Sequence, residues 1–171
     1  QHKHWAELGS ALGYTFSRHA DMSDGMAPTG RERGDLLRFI EQLARARCVS
    51  MEQQIRDSRE EVTPQELARY MNTLATYKHD TGIMDFTDLL ERYINEGQPA
   101  PVAVAIIDEA QDLSRLQWKF IKRAFADGPR IYVAGDDDQA IFTWSGADVD
   151  TFLGLKGERE VLGVTHRLPR H

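Results

Sequence analysis

Two adjacent carboxylates, Asp108 and Glu109, directly follow an apolar run. The run is Val102, Ala103, Val104, Ala105, Ile106 and Ile107. It predicts a strand over residues 102–108, buried on both faces of a parallel sheet. Open α/β sheets bind ligands at the carboxyl ends of their strands. An aspartate there can hold magnesium, and a glutamate beside it can orient or deprotonate a water. The pair therefore points to nucleotide hydrolysis. The plainer alternative is a strand end with two solvated charges.

A second group lies in residues 135–148, Gly-Asp-Asp-Asp-Gln-Ala-Ile-Phe-Thr-Trp-Ser-Gly-Ala-Asp. Asp136, Asp137 and Asp138 repel one another, a cost that a purely structural turn has no need to carry. Gln139 has a donor and an acceptor, so it can bond a phosphate oxygen or a nucleophilic water. Phe142 and Trp144 are aromatic rings in a polar loop, a usual platform for unstacked bases. Against this, the aspartates could be an acidic turn and Trp144 a packing anchor.

The elements that must position these groups fall into two regions. Up to about residue 98 the chain reads as helical. Trp5, Leu8 and Leu12 share one helix face that ends near Gly13. Residues 14–34 read as a loop. Leu36, Leu37, Ile40, Leu43 and Ala44 form an apolar stripe of helical period. Thr63, Pro64 and Glu66 start a helix that carries Leu67, Tyr70, Met71 and Leu74 inward and stops near Gly82. Asp85 caps another, bearing Phe86, Leu89, Leu90 and Tyr93 and ending at Gly97. After residue 99 strands alternate with helices, which means a parallel α/β sheet. Ser114 and Gln117 open a helix whose buried face is Leu116, Phe120, Ile121 and Phe125. Further strands are expected at 131–134 and 160–164, with a helix at 147–155 between them.

With 171 residues, 41% hydrophobic and 28% charged, the chain is long enough for one domain, with or without an insertion. A net charge of -6 argues against a surface coated in basic residues but leaves room for a local basic groove. Arg31, Arg33, Arg38, Arg45 and Arg47 could line such a DNA path, or be the charged face of a helix. Cys48 is the single cysteine, which excludes an intrachain disulfide and fits a reducing compartment. No run approaches the roughly 20 apolar residues of a membrane span. The start at Gln1 suggests a piece of something longer.

Residues 106–112, Ile-Ile-Asp-Glu-Ala-Gln-Asp, resemble motif II (Walker B) of the UvrD/Rep family of superfamily 1 DNA helicases. Residues 135–148 resemble its motif III, usually G-D-D-D-Q-x-I-Y-x-W-R-G-A, and residues 164–169 its motif IV, with Arg167 at the arginine. Asp85-Phe86-Thr87-Asp88-Leu89-Leu90 resembles the D-F-x-x-L-L helix that precedes motif II. The resemblance covers mainly residues 85–171. It implies part of a RecA-like P-loop NTPase domain (residues 99–171) with a mostly helical inserted subdomain facing DNA (residues 1–98).

By position, Asp108 would hold Mg2+ and Glu109 would be the catalytic base. Gln139 would sense the γ-phosphate of ATP, and Arg167 would be an arginine finger. Trp144 and Phe142 would stack on single-stranded bases. Gln111 and Asp112 would belong to the network linking motifs II and III. The implied activity is ATP-dependent translocation on single-stranded DNA and unwinding at duplex junctions, in the cytoplasm, by a protein encoded by a bacterium or a phage. The missing remainder of the helicase chain would be a partner.

Three departures bear on this reading. Ser145 stands where the family has Arg, which puts one phosphate contact in doubt. Phe142 replaces the commoner Tyr and loses its hydroxyl. No G-x-x-x-x-G-K-[ST] phosphate loop occurs in these residues, so the segment alone is expected to be nearly inactive. Two alternatives follow: a non-catalytic DNA- or protein-binding module derived from a helicase domain, or part of a RecB-like helicase-nuclease.

Overall fold

The computed structural model describes residues 2–16, 32–58, 60–140 and 145–161. Five helices come first: α1 His2–Leu12, α2 Arg33–Arg47, α3 Met51–Ser58, α4 Pro64–Thr81 and α5 Phe86–Glu96. Strand β1 Val104–Ile107, helix α6 Arg115–Ala124, strand β2 Arg130–Val133 and helix α7 Val149–Leu153 follow. Short 3-10 turns at Ala110–Asp112 and Asp137–Gln139 leave the two strands.

Local caps set most helix starts. The Thr63 side chain accepts from the Glu66 N–H, with Pro64 in the first turn of α4. Asp85 and Asp88 form a reciprocal capping box on α5, and Ser114 and Gln117 form one on α6. Helix α3 was not anticipated. Its signal was present in Ser50 and Gln53, the serine and glutamine of a capping box, and the Ser50 Oγ accepts from the Gln53 N–H at 3.2 Å.

Helices α1, α2 and α4 enclose one core of Leu8, Leu12, Leu37, Ile40, Val62, Leu67, Tyr70 and Leu74. Beside it lies an ion network that joins three helices. Arg45 of α2 bonds Glu41, Asp88 and Glu91, and Lys78 of α4 bonds Asp85 and Asp88. Helix α5 departs from expectation: Leu90 is buried, but Phe86 and Leu89 are exposed.

Strands β1 and β2 pair in parallel, from Val104 with Arg130 to Ile107 with Val133. The expected burial on both faces of β1 is not found. Ala105 and Ile107 are buried, whereas Val104 is 51% and Ile106 77% exposed. The reason is layering: among the described residues the sheet has two strands, and α6 covers one face of it. Residues 160 and 161 are irregular, and the rest of the strand expected at 160–164 lies outside the described residues.

Helix α6 also differs, because it is buried on two sides. Trp118, Ile121 and Phe125 pack with Ile107 and Ala110 under the sheet. Phe120 instead meets Tyr93 of α5, with ring centroids 5.0 Å apart. Leu116 lines a cavity of about 310 Å³ with Ala44 and Cys48 of the α2 region and Ile94 of α5. The sheet region and the helical region therefore share α6.

Candidate active site

The carboxyl ends of β1 and β2 are laced together. The Ala134 N–H donates to the Ile107 carbonyl at 2.8 Å, and the Ala110 N–H donates back to the Ala134 carbonyl at 3.0 Å. Between these bonds the chain carries Asp108 and Glu109, both exposed. Glu109 has φ 49 and ψ 42, a left-handed conformation that costs a non-glycine residue about 1 kcal/mol or more. Its N–H donates to Asp108 Oδ1 at 2.9 Å. The sharp turn sends two consecutive carboxylates out of one strand end.

Gln111 is the buried piece of this frame, with 2% exposure. Its Nε2 donates to Glu109 Oε2 at 2.9 Å, and its Oε1 accepts from the Asp136 N–H at 3.0 Å. Gly135 makes the second contact possible. A Cβ there would lie 2.7 Å from Gln111 Oε1 and 2.8 Å from the Phe152 ring. Asp136 then caps its own turn, accepting from the Asp138 N–H and from Gln139 Nε2. All three aspartates are exposed, and the Asp136 carboxylate is the one that braces the turn.

Asp112 is placed differently from Gln111. Its Oδ1 is buried and meets no hydrogen-bond donor among the described residues. Burial, and then the charge of Glu109, raise its pKa. Its backbone N–H closes the turn onto the Glu109 carbonyl. Phe142, Trp144 and Arg167 lie outside the described residues.

The loop is held again at its far end. Gly146 has φ +100 and is buried, and a Cβ on it would meet Leu43 at 3.1 Å and Arg47 at 3.3 Å, both on α2. The Asp148 N–H donates to the Leu113 carbonyl at 2.8 Å, and Asp148 Oδ2 accepts from Arg115 Nε at 3.1 Å. Neither glycine contact was foreseen, since nothing local marks a close approach between residues so far apart in sequence.

Three of the arginines considered for a DNA path are engaged internally. Arg33 bonds Glu66, Arg45 is in the α2–α4–α5 network, and Arg47 bonds Gln54 and Asp57. Ion pairing within the helical region accounts for them.

No group of three or more His, Cys, Asp or Glu that could cage a metal occurs among the described residues. Magnesium does not require one. It commonly uses one or two carboxylates and fills its shell with water and substrate phosphates. Asp108 fits that pattern, since it is exposed and only its Oδ1 is engaged, by the Glu109 N–H.

Comparison with known proteins gives the lineage. The model of the UvrD/REP helicase N-terminal domain matches residues 17–160. The chain belongs to that family. RecBCD enzyme subunit RecB of Mycolicibacterium smegmatis is 32% identical over 106 residues, 54% of this chain and 10% of that protein. ATP-dependent DNA helicase Rep of Buchnera aphidicola is 30% identical over 97 residues, 52% of this chain and 14% of that protein. DNA helicase II of Haemophilus influenzae is 31% identical over 78 residues, 40% of this chain and 11% of that protein. The aligned segments are thus small parts of these UvrD/Rep-type relatives. The family match also reaches well into the helical region, beyond the motifs at residues 85–171. Among the described residues no helix is long and apolar enough to cross a membrane.

Proposed function

We propose that this chain is part of an ATP-dependent single-stranded DNA translocase that unwinds duplex DNA. In this reading residues 99–171 are the later half of a RecA-like ATPase domain, and residues 1–98 are its helical insertion. The observation that carries the reading is the hydrogen-bonded frame that holds Glu109 and Gln139 at the ends of adjacent parallel strands. That is where an α/β sheet binds its ligand.

Each residue then has a chemical task. Glu109 takes the proton from a water attacking the γ-phosphate. Asp108 holds the magnesium ion, which supplies charge neutralisation of the phosphates when bound. Gln139 reads the phosphate, and Trp144, five residues further on, reads DNA by stacking. Phe142 stacks beside it, and Arg167 stabilises the transferred phosphoryl charge. A small movement of one loop then couples the nucleotide to the strand.

Two measurements test this. In the full-length protein, Gln139→Ala lowers DNA-stimulated ATP hydrolysis more than ATP binding; equal loss of both counts against the coupling role. Residues 1–171 alone turn over ATP negligibly, because they contain no phosphate loop. Robust magnesium-dependent hydrolysis by the segment would sink that expectation. A second reading, part of a RecB-like helicase-nuclease, is favoured by the 32% identity to RecB. A nuclease domain in the same reading frame decides it.

A further inference from the structure

Helix α6 presents charge of one sign to water. Its exposed positions are Arg115, Lys119 and Lys122, and the rest of the helix is buried or half-buried. At 3.6 residues per turn these three fall within about 60° of one another, so they form a single stripe. Rising 1.5 Å per residue, the stripe is about 10 Å long. The helix contains no Asp or Glu. On α5, by contrast, the exposed positions are Phe86, Leu89, Arg92, Asn95 and Glu96, a mixture. The net charge of the chain is -6, so the stripe runs against the composition.

These cations are largely uncommitted. Lys119 and Lys122 have no ion pair or side-chain hydrogen bond among the described residues. Glu91 lines the same cavity as Lys119, but its carboxylate is bonded to Arg45. Arg115 gives Nε to Asp148 and stays 56% exposed. Arg33, Arg45 and Arg47 of the helical region are instead held by carboxylates. Helix electrostatics accounts for Lys122, which lies in the last turn of α6, where a cation is favoured. It does not account for Lys119 in mid-helix, nor for Arg115 at the first position, where the helix end is itself positive.

We infer that the α6 stripe is a contact for the phosphate backbone of single-stranded DNA. This rests on the reading of the chain as part of a single-stranded DNA translocase. The stripe begins where the end of the loop assigned to base stacking is fastened to α6. There Ala147 bridges Ser114, and the Asp148 N–H donates to the Leu113 carbonyl. Trp144 precedes Ala147 by three residues, at most about 11 Å of extended chain. A strand stacked on that loop has the start of α6 as its neighbour. A motor that moves along any sequence needs contacts that ignore the bases, and flexible ammonium groups supply charge without base readout. At about 3.4 Å of axis per phosphate in a stacked strand, the stripe spans about three phosphates.

The test is equilibrium binding of oligo(dT) by the full-length protein between about 50 and 200 mM salt. Each phosphate contact on a single strand contributes about 0.7 to the slope of log affinity against log salt. Lys119→Gln with Lys122→Gln should therefore reduce the slope by about 1.4 and weaken low-salt binding about tenfold or more. Both positions are exposed and Gln is a good helix former, so this variant keeps the fold. Lys119→Arg with Lys122→Arg should retain the parental slope. So should Arg92→Gln with Lys156→Gln, which removes the same charge from exposed positions elsewhere. The weakening on oligo(dA) should match that on oligo(dT) within about twofold, because phosphates carry no sequence information.

A parental slope in Lys119→Gln with Lys122→Gln would overturn the stripe and leave the translocase reading standing. An equal fall in Arg92→Gln with Lys156→Gln would also overturn it, by making net charge the cause. Parental DNA binding with lost binding to poly-glutamate would assign α6 to an acidic protein segment instead. Absence of salt-dependent oligo(dT) binding in the parent would overturn the translocase reading, and the stripe with it.

Discussion

The helical region and the sheet region bury their residues in opposite ways. Helices α1, α2 and α4 close around a core that includes Leu37, Ile40 and Tyr70, each at 0% exposure. The central cluster of the sheet region is Ile107, Ala110 and Trp118, and the other face of β1 carries Ile106 at 77% exposure. In the first region the carboxylates of Glu41, Asp85, Asp88 and Glu91 are paired with Arg45 and Lys78. The second presents two carboxylates and an acidic turn at thinly covered strand ends. The closed core and the exposed strand-end carboxylates therefore lie in different parts of the chain, joined through α6 and through Gly146 against α2.

The largest expected effect sharpens this contrast. Ile40→Ala should destabilise the chain by about 2–5 kcal/mol, because it opens a cavity in a closed core. A urea titration measures it. Arg45→Met should cost about 3 kcal/mol, since it leaves Glu41 and Glu91 without their cation and Asp88 with Lys78 alone. A loss below about 1 kcal/mol in either would mean that the helical region is not the stabilising half.

The same network sets the acid limit. Burial alone would raise the pKa of Asp88, but hydrogen bonds from Lys78, the Asp85 N–H and Arg45 outweigh it and hold the carboxyl at about 2. Its folded pKa is below its unfolded value, so its contribution is present above about pH 4. It is lost as pH falls toward 2. Glu66 is shifted the same way, chiefly by Arg33. Glu41 is shifted upward, by burial, and opposes them. Thermal melts should therefore fall steeply between about pH 4 and 2 in the parent and less steeply in Arg45→Met. Equal slopes would remove the network from the account.

Gly146→Ala probes the junction of the two regions. Its φ of +100 and the nearby Leu43 leave little room, so a loss of about 1–3 kcal/mol is expected. Ile106→Thr, on the uncovered face of β1, should change stability by less than about 0.5 kcal/mol. A larger loss there would show that this face is covered in solution.

Much of this was legible in the sequence because it is local. Thr63, Asp85 and Ser114 mark helix starts within four residues, and the run before Asp108 marks a strand. What stayed hidden is non-local. An apolar run does not say which layer covers it, so the exposure of Val104 and Ile106 could not be read. The partners of Arg45 include Asp88 and Glu91, more than forty residues away, so it passed for a candidate DNA contact. Trp118 was missed because α6 is buried on two sides, and the expected stripe already drew Leu116 and Phe120 from one and Ile121 and Phe125 from the other. The motif residues Asp108, Glu109 and Gln139 were visible as types and spacing. The resemblance placed Gln111 between motifs II and III; which atoms it bonds, Glu109 Oε2 and the Asp136 N–H, depends on β2 ending beside β1, which only the fold supplies.

In the proposed function the end of β1 activates water for an ATP-driven DNA motor. The most direct measurement is ATP turnover on single-stranded DNA by the full-length protein carrying Glu109→Gln. A fall in kcat of about 10²–10⁴-fold with ATP binding retained is expected. Parental turnover in that variant would contradict it.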